Sequence, residues 1–259
     1  MAEQNREILK VEHLKKYFPV PNGMLHAVDD ISFTIEQGKT LGVVGESGCG
    51  KSTLLSLLCG LLTPEEGSIV IDGIDRRDSP AVIGYMLQKD HLFEWRSILS
   101  NTALGLEIHG NVSPNDKKDL LSMLKTYGLE QFSASRPSEL SGGMRQRAAL
   151  IRTMALKPDI LLLDEPFSAL DYQTRLEVCD DISSIIRTRG KTAILVTHDL
   201  SEAISVADRI LILGSRPGHV TGIMKIQFNQ PYDRPLARRN APDFSVYFNQ
   251  LWKEIKEHD

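Results

Sequence analysis

Apolar and polar positions follow two different periods along the chain, and each period predicts a different kind of element. Apolar and polar residues alternate over Ile31–Ile35, as in a strand with one buried face, and shorter patterns predict strands at Ile8–His13 and Gly67–Ile71. Other runs are apolar almost throughout and predict strands buried on both faces. These buried strands are predicted at Thr40–Val44, Ile160–Leu163 and Thr192–Thr197, with a further strand at Arg209–Leu213.

Helical spacing replaces this pattern in the middle and towards the end of the chain. Over residues 97–136, apolar residues recur three or four positions apart, with a break at Gly110–Pro114, which predicts a helical insert. Helices are also predicted at Tyr172–Thr188 and Leu200–Val206, between the buried strands. Such alternation is typical of a parallel sheet with crossover helices, so we expect an α/β fold. The aromatic residues within Pro231–Asp259 predict a short amphipathic helix that packs on the domain.

The composition narrows the class of protein. The chain has 259 residues, a formal net charge of −4 and 41% hydrophobic residues, which are ordinary for a globular domain and unusual for a dedicated nucleic-acid binder. The first residues, MAEQNREILK, contain no apolar segment of a secretory signal, and no run reaches the ~20 apolar residues of a membrane helix. Cys49, Cys59 and Cys179 lack metal-binding spacing and fit a reducing compartment. We therefore expect a cytoplasmic protein that can still dock on a membrane partner.

A glycine-rich loop supplies the first candidate site. The sequence GESGCGKS, from Gly45 to Ser52, matches the phosphate-loop pattern G-x-x-x-x-G-K-[ST], and it lies between a predicted buried strand and a helical pattern over Ser52–Leu62. Backbone N–H groups of such a loop turn inward around phosphates, and the helix N-terminus adds a partial positive charge. Lys51 is expected to reach the β- and γ-phosphates of a nucleotide, and Ser52 to ligate Mg²⁺. The loop residues predicted to bind nucleotide are Gly45, Glu46, Ser47, Gly48, Cys49, Gly50, Lys51, Ser52 and Thr53.

A second polar site follows the buried strand Ile160–Leu163. Asp164 and Glu165 come at its carboxyl end, the edge of an open α/β sheet at which ligands bind. We expect Asp164 to hold Mg²⁺ or its water shell, and Glu165 to polarise an attacking water. An apolar run that ends in two carboxylates is weak evidence by itself, but it becomes strong when it follows a phosphate loop within an alternating α/β region.

Further motifs occur in a fixed order around these two sites. The segment Leu140–Gln146 (LSGGMRQ) lies upstream of the second polar site and resembles the signature motif of the ABC ATPase family. Gln88 is similar to the glutamine of the family's Q-loop, Ser168–Asp171 to its D-loop and His198 to its switch histidine. Tyr17 is similar to the aromatic residue that stacks on adenine. The resemblance covers essentially the whole chain.

The resemblance implies a fold and a division of the chain. The family has a P-loop NTPase fold with a mainly parallel core sheet, an antiparallel β subdomain and an inserted α-helical subdomain. Residues 1–259 would then form a single ABC ATPase domain. Within it, residues 1–96 and 158–230 would form the ATP-binding core with the β subdomain, 97–157 the helical subdomain with the signature motif, and 231–259 a helical tail.

The resemblance also implies how the motifs act on ATP and Mg²⁺. Ser141, Gly142 and Gly143 open a helix predicted over Met144–Leu156, whose N-terminus is an anion site. They are expected to cap the γ-phosphate of ATP bound to a second copy, so that two ATP molecules lie in a head-to-tail homodimer. The implied roles are catalysis for Glu165 and His198, nucleotide binding for Tyr17, Gln88 and Asp164, D-loop contact for Asp171, and Mg²⁺ ligation for Ser52, Gln88 and Asp164.

The segment Gln88–Arg96 indicates which kind of partner the ATPase could act on. Leu92, Phe93 and Trp95 would be costly to expose in a loop. Two interpretations are open: these residues pack against the helical insert, or they line a groove that receives a short helix from a membrane permease. Together with Leu104–Glu107, the segment is similar to the importer ATPases for nitrate, sulfonates and taurine.

Two functions follow from these alternatives. The first is the energy-coupling subunit of an importer, at the cytoplasmic face of the membrane, with permease subunits as partners and a solute-binding protein acting indirectly. The second is a soluble, non-transport ABC ATPase that acts on nucleic acid or ribosomes. Chromosome-type relatives insert a long coiled coil, whereas the segment between Gly45 and Ser141 is short and has no heptad run. Ribosome-type relatives carry two ATPase domains and this sequence has one, so we expect transport and no nucleic-acid partner.

Overall fold

The computed structural model describes residues 6–21, 23–168, 170–215, 217–232 and 234–257. Within these residues, four strands form an antiparallel sheet and six form a mainly parallel one. The strands are β1 (Glu7–Val20), β2 (Gly23–Glu36), β3 (Thr40–Gly45), β4 (Glu66–Ile71), β5 (Ile74–Asp75), β6 (Ile83–Met86), β7 (Ile160–Asp164), β8 (Thr192–Val196), β9 (Arg209–Gly214) and β10 (His219–Lys225). The antiparallel sheet has the order β2-β1-β4-β5 and the larger sheet β10-β9-β3-β8-β7-β6, in which β10 alone is antiparallel to its neighbour.

The helices lie between and around the two sheets. They are α1 (Lys51–Leu58), α2 (Ile98–His109), α3 (Pro114–Thr126), α4 (Gly142–Met154), α5 (Tyr172–Thr188), α6 (Leu200–Val206), α7 (Pro235–Arg239) and α8 (Phe244–Glu257). Side-chain caps fix where several of them begin. Ser113 and Asp116 form a reciprocal capping box at the start of α3, and Ser97 caps α2 through the N–H of Ser100.

The hydrophobic core occupies both faces of the larger sheet. Residues of β7 alternate between the two faces: Leu162 packs with α1 and the antiparallel sheet, while Leu161 packs with α2, α4 and α5. A third cluster joins α6 and α8 to β3 and β9, with Leu251 of α8 fully buried. Because parallel strands β3, β7 and β8 lie side by side, their carboxyl ends meet at one edge of the sheet, where the polar motifs follow them.

The predicted fold class is confirmed, and α5 and α6 have the predicted boundaries. The helix after the phosphate loop was predicted to reach Leu62 but ends at Leu58, because Gly60 adopts a φ of +81° that breaks the helix. The helix of the signature motif begins at Gly142 rather than Met144, because Ser141 caps it by accepting a hydrogen bond from the Met144 N–H. The amphipathic helix of the tail is confirmed as α8.

Three strands were not predicted, and the first two antiparallel strands are longer than predicted. The unpredicted strands are short or at a sheet edge: β5, β6 and β10. In β6, Gly84 interrupts the apolar pattern. A Cβ there would lie 2.8 Å from Cγ2 of Thr153, so close packing of α4 favours glycine.

Candidate nucleotide site

The phosphate loop connects β3 to α1, and its backbone admits only glycine at key positions. Gly48 and Gly50 have φ angles of +87° and +90°, in the left-handed region. A Cβ at Gly50 would lie 2.1 Å from the carbonyl oxygen of Ala27, and one at Gly45 would lie 2.4 Å from that of Leu213. The loop is therefore pressed against β2 and β9, while Glu46, Ser47 and Gly48 at its tip are exposed.

Lys51 closes over the loop that precedes it. Its Nζ donates hydrogen bonds to the carbonyl oxygens of Gly45 and Glu46, both at 2.7 Å, and the residue is only 7% exposed. Cys49 is fully buried, with its Sγ 3.5 Å from the same Nζ. The ammonium thus lies where phosphate oxygens of a nucleotide could replace the two carbonyl groups as its partners.

Asp164 and Ser52 place two oxygen donors side by side. The Ser52 hydroxyl is 3.5 Å from Oδ1 of Asp164, and the hydroxyl of Tyr85 donates to Oδ2 at 3.2 Å. Burial raises the pKa of the Asp164 carboxyl, which the two hydroxyl contacts and Lys51 partly offset. Among the described residues, no cluster of three or more His, Cys, Asp or Glu could hold a metal alone. One carboxylate and one hydroxyl fit Mg²⁺, which usually completes its shell with phosphates and water.

Glu165 has a backbone conformation that is unusual for its residue type. Its φ of +44° is left-handed, a conformation that costs about 1–2 kcal/mol outside glycine. The N–H of Glu165 donates to the carbonyl oxygen of Val196 at 2.9 Å, which anchors this turn to β8. Such strain directly after β7 re-aims the side chain and persists only because the surrounding contacts hold it.

Two predicted site residues hold the Glu165 carboxylate from opposite ends. Nε2 of Gln88 donates to Oε2 at 3.0 Å, and Nδ1 of His198 lies 3.2 Å from Oε1. The structure therefore brings together Gln88, Glu165 and His198, which are far apart in the sequence. The Glu165 carboxylate, next to Asp164 in the sequence, can accept a proton from a water molecule. The His198 imidazole can orient that carboxylate.

The signature residues lie at the start of α4, packed against the D-loop (residues 168–171, of which 169 is outside the described residues). A Cβ at Gly143 would lie 2.7 Å from Cγ2 of Thr174, and one at Gly142 would lie 3.2 Å from Leu170. Asp171 itself caps α5 by accepting the N–H of Thr174 at 3.1 Å. The nearest neighbours of the signature glycines thus belong to the D-loop and α5, rather than to the phosphate loop.

Tyr17 stacks on a residue that the sequence did not indicate. Its ring lies 3.9 Å from that of His26, with an angle of 25° between the planes. The hydroxyl of Tyr17 donates to Asp29 at 2.6 Å, and this hydrogen bond raises the pKa of Tyr17. Asp29 in turn donates its N–H to the carbonyl oxygen of Gly218. The paired rings are therefore tied to the strand and loop that back the phosphate loop.

The apolar residues of the segment Gln88–Arg96 lie in two different environments. Leu92 is buried in the core with the helical insert, whereas Trp95 is 73% exposed and stacks on Phe93 at 4.7 Å. The segment is fastened to α4 by Arg145, which pairs with Asp90 and Glu94 at 2.8 Å each. Packing therefore accounts for Leu92, and it leaves the indole of Trp95 in solvent.

Comparison with known proteins decides the family. A sequence profile described as ABC transporter matches residues 28–168. The chain belongs to the ABC transporter family. It is 43% identical over 248 residues to the ABC transporter ATP-binding protein YtlC of Bacillus subtilis, covering 95% of each chain. It is 39% identical over 250 residues to the taurine import ATP-binding protein TauB of Rhizobium johnstonii, covering 96% of this chain and 95% of TauB.

Solved structures agree with this assignment. The ATP-binding cassette MJ0796, in a dimeric post-hydrolysis state bound to ADP and Pi, superposes with a TM-score of 0.74 at 30% identity, over 85% of this chain and 99% of that one. This ABC cassette is accordingly an ATPase with the P-loop NTPase fold of its family, and it uses ATP and Mg²⁺. No helix within the described residues is both long enough and apolar enough to cross a bilayer.

Proposed function

We propose that this ABC cassette is the energy-coupling subunit of an importer, in which ATP binding closes a head-to-tail homodimer and hydrolysis reopens it. The observation that carries the proposal is the Glu165 carboxylate held between Gln88 and His198, beside the Asp164–Ser52 pair. A carboxylate restrained in this way next to a phosphate loop can accept a proton from the water that attacks the γ-phosphate. The predicted division into core, helical subdomain and tail is retained as part of this proposal.

The chemistry assigned to the site starts from the phosphate loop. Lys51 exchanges its two carbonyl partners for the β- and γ-phosphates, and backbone N–H groups of Gly48 to Thr53 donate to the same oxygens. Ser52, Gln88 and Asp164 would supply oxygen ligands for Mg²⁺, and the bound ion would neutralise negative charge on the phosphates. In this structure the side-chain amide of Gln88 donates through Nε2 to Glu165, which leaves its amide oxygen as the atom that would ligate Mg²⁺.

Hydrolysis then depends on Glu165. Its carboxylate accepts a proton from the attacking water, and the left-handed backbone at Glu165 helps to set where that carboxylate lies. His198 donates to the γ-phosphate and keeps the water and Glu165 in line. Because Gly142 packs against the D-loop and Gly143 against α5 of the same chain, we assign the α4 N-terminus with Ser141 to the ATP of the second copy. Tyr17 supplies the ring that stacks on adenine, with His26 supporting it from the other face.

The importer assignment is supported by similarity along nearly the whole chain to a taurine import subunit. We propose a small anion such as taurine, another sulfonate or nitrate as the solute. The exposed Trp95, in the segment that follows Gln88, is assigned to the docking surface for a permease at the cytoplasmic face of the membrane. A solute-binding protein would act through that permease, without touching this chain.

The test is capture of the tagged cassette from detergent-solubilised membranes of its source organism, followed by uptake assays with labelled taurine and nitrate. We expect a permease with several membrane-spanning helices to co-purify, and deletion of the cassette to abolish uptake of one of these anions. Ribosomal or nucleic-acid-binding proteins in place of a permease would contradict the proposal and favour the non-transport alternative.

A further inference from the structure

Arg175, near the start of α5, connects two loops of the nucleotide site that are distant in the sequence. Its Nη2 donates to the carbonyl oxygen of Leu170 in the D-loop, at 3.0 Å. Its other nitrogens face the segment after β8, with Nη1 3.6 Å from Oδ2 of Asp199 and Nε 3.9 Å from Oε1 of Glu202. One guanidinium therefore contacts both the D-loop and the switch segment, residues 197–202.

Each of the two loops leads back to Glu165. On the D-loop side, the N–H and the hydroxyl of Ser168 donate to the carbonyl oxygen of Glu165, at 3.2 and 3.1 Å. On the switch side, the Thr197 hydroxyl donates to Glu202, and the next residue, His198, lies 3.2 Å from the Glu165 carboxylate. The contacts form a closed ring that starts and ends at Glu165, and Arg175 is the member that joins its two halves.

The junction between Arg175 and the switch segment combines a buried carboxylate with a buried donor that has no hydrogen-bond partner in the part of the chain that the structure describes. Glu202 is 3% exposed, and burial raises its pKa to about 7, while Arg175 and Arg239 act in the opposite direction. Nε of Arg175 is also buried and has no hydrogen-bond partner among the described residues. A movement of roughly 1 Å would bring it within hydrogen-bond distance of Glu202. The guanidinium therefore has a second arrangement available that requires only a small shift of the D-loop or of the switch segment.

The D-loop half of the ring is continuous with the signature. Leu170 packs on Gly142, and Thr174, one residue before Arg175, packs on Gly143. In the proposed dimer these elements belong to the ATP site of the second copy, whereas Glu165 and His198 belong to the site of this chain. Arg175 thus lies between residues that serve two different ATP molecules.

We propose that Arg175 is a positioning residue that holds the D-loop and the switch segment as one unit. Closure of the second copy's ATP site against the D-loop then sets the position of His198 and Glu165 at this chain's own site. The inference rests on the proposed head-to-tail dimer and adds a coupling residue that contacts neither ATP nor Mg²⁺.

The test uses the full chain with Glu165→Gln, a background expected to bind ATP without hydrolysing it, and compares Arg175→Gln, Arg175→Lys and a control. The control is Arg147→Gln, which breaks a comparable half-buried contact between α4 and α5, the 2.9 Å pair of Arg147 with Asp181. ATP-dependent dimer formation is measured by size exclusion with light scattering, and ADP affinity reports separately on the phosphate loop. Hydrolysis is measured for the same substitutions with Glu165 intact.

We expect Arg175→Gln to raise the ATP concentration needed for closure, and to lower kcat, each by about tenfold, in the usual range of coupling between sites. ADP affinity and melting temperature should stay close to those of the parent, and Arg147→Gln should change neither closure nor kcat. Arg175→Lys should be intermediate, because lysine keeps the charge and loses the fork that reaches both loops.

The outcomes distinguish a failure of the coupling role of Arg175 from a failure of the proposed head-to-tail dimer. If Glu165→Gln alone forms no ATP-dependent dimer, the proposed dimer is wrong. If it does form one, and Arg175→Gln and Arg175→Lys close at the parent's ATP concentration, the coupling role is wrong. A loss of ADP affinity equal to the loss of closure would also overturn it, because Arg175 would then act on the phosphate loop. Should Arg175→Gln fail to fold, the comparison of Arg175→Lys with the parent decides.

Discussion

The hydroxyl of Tyr85 donates a hydrogen bond to Oδ2 of Asp164, 3.2 Å away, while Ser52 faces the other carboxylate oxygen. Tyr85 lies on β6, the strand next to β7, and burial together with Asp164 raises its pKa, so it remains a donor at neutral pH. The contact restrains the carboxylate that is assigned to Mg²⁺ and directs its free lone pairs towards Ser52.

Tyr85→Phe should therefore weaken Mg²⁺ binding rather than the chemical step. We expect the Mg²⁺ concentration for half-maximal hydrolysis to rise by about tenfold, as for loss of other supporting contacts to metal ligands, with kcat at saturating Mg²⁺ nearly unchanged. Tyr127→Phe is the matched control, since Tyr127 is buried in the helical subdomain. An unchanged Mg²⁺ dependence would show that Tyr85 has no part in holding Asp164.

Glu165→Gln keeps the size and the Gln88 contact of this residue but removes its ability to accept a proton. Hydrolysis should fall by at least ~10², while ATP still binds. Steady-state turnover and ATP binding by equilibrium dialysis check the two parts separately. Turnover near that of the unmodified chain would remove Glu165 from its catalytic role.

Glu202 predicts a pH dependence of stability. Its pKa is about 7 in the folded chain against 4.5 for an ordinary glutamate, so the folded state holds a proton that the unfolded chain releases. The protonated group's contribution is fully present below the ordinary value and is lost as the pH rises through 7. Thr197, Arg175 and Arg239 lower the pKa of Glu202 and Asp199 raises it, but burial is the largest cause.

The Glu202→Gln variant removes this titration. Between pH 5 and pH 8, the unmodified chain should lose about 2–3 kcal/mol of unfolding free energy relative to the variant. Urea unfolding of both proteins at pH 5 and pH 8 gives the change in unfolding free energy of each, and the two changes are then compared. Parallel stability curves over that range would mean that Glu202 ionises at its ordinary pH in the folded protein.

Trp95 tests the assigned docking surface. Because its indole is 73% exposed, Trp95→Ala should leave folding and ATP binding intact, yet weaken assembly with the permease by at least about tenfold, as for other exposed aromatic anchors. Trp252→Ala on α8, where the side chain is 48% exposed, is the control. Co-purification of the permease at equal levels with both variants would place the docking surface elsewhere.

Local sequence patterns predicted much of the fold and several of the candidate site residues that the structure brings together. The phosphate loop, the carboxylates after β7 and the histidine after β8 each follow a buried strand, and parallel pairing brings those strand ends to one edge. The elements missed were weakly patterned: β6 has four residues with Gly84 inside, and β10 is an edge strand that contains Gly222. These two segments are too short, and their alternation of apolar and polar residues is too irregular, to distinguish a strand from a loop.

The supporting residues of the site could not be predicted, because their roles depend on partners far away in the sequence. Tyr85 meets Asp164 only through the pairing of β6 with β7, and His26 meets Tyr17 only through the register of β1 with β2. Lone tyrosines and histidines are common in any domain, so neither residue carries a signal of its own. Only the pairing of the strands in the folded chain shows which residues these two side chains contact.

The most direct test of the account is whether two copies of the chain share each ATP site. One copy carries Lys51→Ala, which removes the phosphate-binding charge, and the other carries Ser141→Arg, which blocks the N-terminus of α4. With two different affinity tags, the mixed dimer can be purified away from both homodimers. If each site combines the phosphate loop of one copy with the signature of the other, the mixed dimer has one site with both lesions and one intact site.

The measurement is ATP-dependent closure of the purified mixed dimer, followed by crosslinking across the interface, with hydrolysis recorded alongside. We predict that the mixed dimer closes on one ATP and retains part of the hydrolysis, while each homodimer of a single variant is nearly inactive. Closure and hydrolysis of the mixed dimer no greater than those of the two homodimers would contradict the shared site.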